Sequence, residues 1–350
     1  MRYIIIILVS IYYSIQAQEV ASTKTKDIGY EKAYYGLTGM LMNEYEYSLK
    51  NAVYMVENAF LGNLDLIEFY RDVKELAYLV NEYAYANADN FAYNHSDRNT
   101  MLFRASLFSV FTDTIPIQIN DSLEVYHLPF TYDFKDFTGD KDWTKMFVSK
   151  LLKEKNGNCH SLPLLYKILA EESGISASLA LAPNHIYIKH RSVQGGMYNT
   201  ELTSAAFPLD AWLMASGYIH LDAIRSGIYM DTLNDTQTIS LCLVDLAKGY
   251  EKKYGHIDDE FIELCLDKAL EYYPNYINAL LFKAEVIKRK LDNNMSGELF
   301  QEYENLVIKI YKLGYRKMPE KMYLNWLLDL KENKAMYSNE KIVKLQTQSK

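Results

Sequence analysis

The chain changes its hydrophobic period twice, and that change limits its fold more than any other feature. From about Tyr30 to Phe111, and again beyond about Asp235, apolar residues recur at steps of three and four. Between Ser178 and Thr203 they fall in short β-branched and aromatic runs that alternate in twos. Period 3.6 marks helices with one buried stripe, and period 2 marks strands. Helices, a few short strands and helices again define an α+β chain whose small antiparallel sheet must be covered by helical material. Three regions are expected: helical residues 28–112, a mixed core over 113–235, and a helical domain over 236–335.

Punctuation residues refine this outline. Ala52, Val53, Val56, Ala59 and Phe60 form one stripe, and Gly62-Asn63 breaks it. Asp65 opens the next helix, through Ile67, Tyr70, Val73 and Leu76, and Asn87 to Asp97 reads as a loop. Asp113 to Gly139, with Pro116 and Pro129, reads as extended chain or loop; Trp143 to Leu152 reads as a helix. Gly157 ends that helix. Asn158 caps the next, with Cys159 in its first turn and Gly174 at its end. Strands are expected at Ser178–Leu181, His185–His190 and Met197–Thr203, with Gly195-Gly196 as a hairpin turn. The later helices pair as Leu241–Tyr254 with Ile257–Tyr272 and Asn275–Leu291 with Gly297–Leu313; Glu320–Leu330 starts another pair.

Bulk properties exclude some functions. A length of 350 residues suggests two or three domains, and 49% apolar with 23% charged residues is a globular balance. The net charge of −8, with no Lys/Arg cluster, argues against a nucleic-acid groove or a basic membrane surface. The 31 tyrosines often fall at helical spacing, which suits rings sealing helix contacts; a tyrosine-lined groove is the alternative. Arg2, the apolar run Tyr3–Ile15 and Ala17 read as a secretory signal at 1–17, cleaved after Ala17 or kept as an anchor. No Cys follows that run to accept a lipid, and no later segment is apolar enough to span a bilayer. A periplasmic or extracellular location is expected. With three cysteines at least one thiol stays outside any internal disulfide. Cys242 and Cys265, on consecutive helices, are buried thiols or a bridge, and Cys159 stands apart.

The chemistry-bearing residues cluster in the core. At a helix start the partial positive charge favours a thiolate at Cys159, and amides of the same turn suit an oxyanion. His185 heads a strand and shares a face with Tyr187 and Lys189. It is the expected base. His160 adjoins Cys159 but points about 100° away on a helix, so it is a rim residue. Asn199 and Glu201, two apart on a strand, share a face, and either suits the role of orienting the imidazole. Trp143, 16 residues before Cys159, either walls the cleft or packs the core. Around the substrate the expected residues are Trp143, His160, Asn184 and Tyr187. Scattered histidines, with no His-x-x-x-His, Cys-x-x-Cys or glycine-rich phosphate loop, give no reason to expect a metal or cofactor.

These motifs resemble the transglutaminase-like superfamily of the papain-like fold. Gly157-Asn158-Cys159 is similar to that family's Gly-x-Cys, and Asn184-His185-Ile186-Tyr187 to its histidine strand. Met197 to Thr203 aligns with its third segment, so Glu201 takes the place of an aspartate, with a longer reach. The resemblance covers about residues 130–220. Residues 201–212 also look like a subgroup of exported bacterial proteins that join this core to tetratricopeptide-like helices. The run Lys268 to Leu280, with Ala269, Pro274 and Ala279, resembles the join between two tetratricopeptide repeats. The spacing of Pro274 and Pro319 is irregular for that class. Such helices form a concave binding face or a buttress. The resemblance implies a Cys-His-Glu/Asn hydrolase or acyl transferase acting on a peptide or protein. The alternative is an inactive scaffold whose helical repeats hold a protein partner.

Overall fold

The computed structural model describes residues 28–120, 122–256 and 259–347. The expected signal at 1–17 lies outside them. The fold is mixed α+β and 60% helical. Helix α1 covers 28–41, followed by α2 (Leu49–Leu61), α3 (Leu66–Ala86) and α4 (Arg98–Thr112). Gly62 ends α2 at φ 80, and the Asp65 side chain caps α3 by accepting from the Glu68 N–H.

The stretch 113–139 holds more order than its prolines suggest. It forms an antiparallel ribbon of β1 (Ile115–Asn120) and β2 (Leu123–His127), then β3 (Thr131–Tyr132). The helix expected over Trp143–Leu152 is broken. A 3-10 turn at Trp143–Met146 ends at an extended Phe147, and α5 (Val148–Glu154) starts anew. The buried Glu57 carboxylate on α2 causes the restart, accepting from the N–H groups of Val148 (2.6 Å) and Ser149 (2.9 Å). It caps α5 from another helix.

Then come β4 (Asn156–Gly157), α6 (Ser161–Glu172), β5 (Ser178–Ala182), β6 (His185–Ser192) and β7 (Gly196–Thr200). β3 and β4 pair in parallel, while β5-β6-β7 form an antiparallel sheet. α6 lies at the centre, against this sheet and α3, α4 and α5, so Leu162, Leu165, Ile168 and Leu169 are all buried. Each such side chain contributes about 1.5–3 kcal/mol. β6 is buried on both faces. His190 meets Tyr166 of α6 at 3.2 Å, while Lys189 reaches Asp210 on the opposite face.

Two short helices without a readable period follow, α7 (Asp210–Ser216) and α8 (Leu221–Arg225). Next are α9 (Asp235–Tyr254), α10 (Asp259–Tyr272), α11 (Ile277–Asn293) and α12 (Gly297–Lys312), each packed on the next. α9 starts six residues before its apolar stripe because Asn234 and Gln237 form a capping box. Ala269 and Ala279 are buried between helices, and Tyr273 stacks on Tyr276. Helices α13 (Glu320–Glu332), α14 (Lys334–Tyr337) and α15 (Glu340–Thr347) complete the chain.

The three regions expected from the sequence share one apolar core. It runs from Tyr30 through α6 and the sheet to Tyr337, and Tyr30 of α1 packs edge-on to Tyr250 of α9. α13 does not begin another hairpin of the C-terminal array; it folds back on the sheet region. Trp326 donates to Ser216 (3.0 Å), and Leu209 N–H donates to the Tyr337 carbonyl (3.0 Å). Ile342 packs with Phe108, Tyr198 and Phe207 in a second cluster.

Candidate active site

Cys159 sits in a tight turn two residues ahead of α6, not in its first turn. Gly157 makes the turn possible: a Cβ there would lie 2.5 Å from Ser161 Oγ and 2.9 Å from Leu151 Cδ1. Asn158 Oδ1 accepts from the N–H groups of His160 (3.0 Å) and Ser161 (3.2 Å), and Ser161 Oγ accepts from Asn158 N–H (3.1 Å). This clamp consumes two of the amides expected to serve an oxyanion. The hydroxyl of Tyr323 stands beside the sulfur, with Oη 3.4 Å from Sγ, and the buried Tyr132 hydroxyl also neighbours Cys159.

His185 is delivered by the turn between β5 and β6, where Ala182 pairs with His185. Pro183 followed by Asn184 at φ 55 is the sequence of a type II turn. The Asn184 carbonyl then accepts from Tyr323 O–H (2.7 Å) and lies 3.7 Å from Cys159 Sγ. Glu201 stands one residue past β7, pinned by a bridge to Ala206. Its Oε2 is 2.6 Å from His185 Nε2, and its Oε1 accepts from Thr203 N–H at 2.8 Å. Trp326 meets the His185 ring edge-on at 4.9 Å.

The charges reinforce one another. Burial draws the His185 pKa down, but the Glu201 carboxylate and the Cys159 side chain outweigh it and raise it to about 10. Burial pushes the Cys159 thiol up, yet the neighbouring His185 ring and its charge, helped by Tyr323 and His160, hold it below its ordinary value, although among the described residues His185 Nδ1 has no hydrogen-bond partner. Glu201 is lowered as well: burial opposes ionisation, and His185 and Thr203 favour it. The arrangement favours thiolate, imidazolium and carboxylate together. Cys242 and Cys265 are free thiols pushed upward by burial, with no bridge between them.

The other expected site residues divide. Asn199 does not reach His185; its Nδ2 donates to the Pro208 carbonyl (2.9 Å) and Asp210 Oδ1 (2.7 Å). Tyr187 is 1% exposed and lies in the core rather than beside a substrate. Trp143, His160 and Asn184 line a cleft of ≈ 430 Å³ that also reaches Cys159 and His185. His160 is held between the Met146 carbonyl (Nδ1, 3.0 Å) and Asp245 of α9 (Nε2 to Oδ2, 2.9 Å). Sequence reasoning missed Tyr323, Trp326 and Asp245. Tyr323 and Trp326, three apart, mark an aromatic helix face, but nothing in the sequence says which surface that face meets.

Among the described residues no group of three or more His, Cys, Asp and Glu is placed to hold a metal ion, and no helix is long and apolar enough to cross a membrane. No protein-family model, curated protein or solved structure matches the chain.

Proposed function

We propose that this protein is an exported cysteine-dependent hydrolase or acyl transferase that acts on amide or peptide bonds. In this reading residues 113–235 form a transglutaminase-like core. The observation that carries it is the 2.6 Å contact of Glu201 with Nε2 of His185, whose ring lines the same cleft as Cys159. The apolar run before Ala17 supports export.

Chemistry follows from the charges. The Cys159 thiolate attacks the carbonyl carbon, forming a C–S bond and moving the carbonyl pair onto oxygen, for which the Tyr323 O–H beside the sulfur is one donor. Collapse breaks the C–N bond as the His185 imidazolium protonates the departing amine. Water or a second amine then attacks the thioester and gives its proton to the neutral His185. The C–S bond breaks and the thiolate returns. Glu201 keeps the ring oriented and offsets its charge throughout. Native protein treated with iodoacetamide at pH 7 tests the reading: Cys159 must label much faster than Cys242 or Cys265, and equal or slower labelling rejects it.

One observation favours a second reading, a non-catalytic scaffold whose α9–α12 hairpins act as tetratricopeptide-like repeats and hold a protein partner. Cys159 is only 8% exposed and has Tyr323 against its sulfur. A scaffold requires that Cys159→Ala leave the chain's crosslinked partners unchanged and its cellular role intact.

A further inference from the structure

The cleft beside Cys159 has an uneven charge balance. Four charged residues other than histidine line it: Asp140, Asp245, Lys248 and Lys317. Both acids are already neutralised. Asp140 pairs with Lys252 at 3.2 Å and accepts from Thr138 Oγ1 at 2.8 Å. Asp245 holds His160, whose pKa is raised to about 9: burial opposes the proton, and the Asp245 charge and hydrogen bond win. That pair is a carboxylate with an imidazolium at neutral pH and carries no net charge.

The lysines have no such partners. Among the described residues neither Lys248 nor Lys317 forms an ion pair or a side-chain hydrogen bond, whereas the neighbouring Lys252 and Lys253 are both engaged. Lys248 lies one helical turn after Asp245 on α9, and Lys317 precedes α13, which carries Tyr323. They come to one cleft from two separate elements. The Cys159, His185 and Glu201 group has one net negative charge in either protonation state of the Cys-His pair. The two lysines exceed it, inside a protein of net charge −8. Cations focused in a cleft of an otherwise acidic surface attract anions at short range.

Building on the cysteine-dependent reading above, we propose that the acyl donor carries a carboxylate near the attacked amide, and that Lys248 and Lys317 bind it. The carboxylate is an acidic side chain or a free peptide C-terminus. Trp143 and Met318 offer apolar surface in the same cleft for the rest of the chain. The lysines are binding groups and take no part in bond making.

The test compares two reagents that alkylate the same sulfur with loss of iodide, neutral iodoacetamide and anionic iodoacetate. In the native full chain at low salt, the iodoacetate-to-iodoacetamide rate ratio at Cys159 should exceed that of free cysteine by on the order of tenfold and shrink with added salt. Lys248→Met and Lys317→Met should each lower the ratio severalfold, the ratio cancelling any change in thiolate fraction common to both reagents, and Lys→Arg at either position should restore it. Fast iodoacetamide labelling with an unchanged ratio in the double Lys→Met variant overturns the carboxylate proposal and leaves the thiol chemistry standing. Slow labelling by both reagents overturns both. Protection from iodoacetamide by millimolar acetyl-Gly-Glu-Gly-amide assigns the side-chain source, and protection by acetyl-Gly-Gly-Gly with a free carboxylate assigns the C-terminal source. Protection by neither counts against the proposal.

Discussion

The Tyr323 hydroxyl stands 3.4 Å from the Cys159 sulfur although 164 residues separate them in sequence. One proton on that oxygen has two acceptors within reach, the Asn184 carbonyl at 2.7 Å and the sulfur. In the thiol form it serves the carbonyl; in the thiolate form the sulfur competes for it. A group from the last third of the chain therefore helps set the acidity of Cys159.

Tyr323→Phe keeps the ring against Phe137 and Trp326 and removes only the oxygen. The midpoint of the pH–rate curve for Cys159 alkylation should move to higher pH, because the thiolate loses a donor. Stability should fall by about 1–3 kcal/mol as the Asn184 carbonyl loses its partner, read from urea unfolding. A midpoint that stays in place would show that the hydroxyl does not bond the thiolate.

Glu201 and Asn199 are separated by a second pair of substitutions. Glu201→Gln preserves shape but removes the charge that raises His185, so turnover of an amide substrate should drop by on the order of 10²–10⁴. His185 is a raised base, so the imidazolium persists until the pH passes about 10 in the native chain. In Glu201→Gln the alkaline loss of activity should begin at lower pH. Asn199→Ala touches only Pro208 and Asp210 and should leave the shape of that pH profile unchanged.

The contrast between these two residues shows where sequence reading reaches its limit. Period 2 puts Asn199 and Glu201 on one face, and strand logic cannot choose between them. The choice is made by Asp210, which engages Asn199 from a seven-residue helix too short to show a period. The positions of Cys159 and His185 were more legible, because Gly157-Asn158 and Pro183-Asn184 mark sharp turns beside each. Strand positions followed from alternation, with β7 stopping at Thr200 rather than Thr203 because Glu201 leaves the ladder to bridge Ala206. The covering of the site by α13 was not legible. An amphipathic period reveals a sticky face and not its partner, and the same limit hid Glu57, whose carboxylate splits the helix expected at Trp143–Leu152.

The His160–Asp245 pair makes a pH-dependent contribution of known sign. The His160 pKa lies at about 9 in the fold against 6.5 in the unfolded chain. A raised histidine stabilises fully below pH 6.5, and that contribution is lost as the pH climbs through about 9. Asp245→Asn should therefore cost roughly 1–3 kcal/mol at pH 6 and progressively less toward pH 10. Urea midpoints of both proteins across that range check it; a constant difference would mean the pair is not titrating as described.

Two glycines next to α6 make opposite demands. Gly174, at φ 69, has open space around it, with nothing within 4 Å of a built Cβ. Gly174→Ala should cost about 1–2 kcal/mol from the left-handed backbone alone and leave Cys159 alkylation unaltered. Gly157 lacks a positive φ but has no room: an added methyl must displace Ser161 Oγ, which holds the Asn158 N–H and donates to the Lys145 carbonyl at 3.2 Å. Gly157→Ala should cost about 1–3 kcal/mol by overpacking. It should also slow iodoacetamide labelling of Cys159, because the displaced clamp holds the backbone on both sides of that residue. If both variants lose stability and neither changes the labelling rate, the Asn158–Ser161 clamp supports the fold without positioning the thiol.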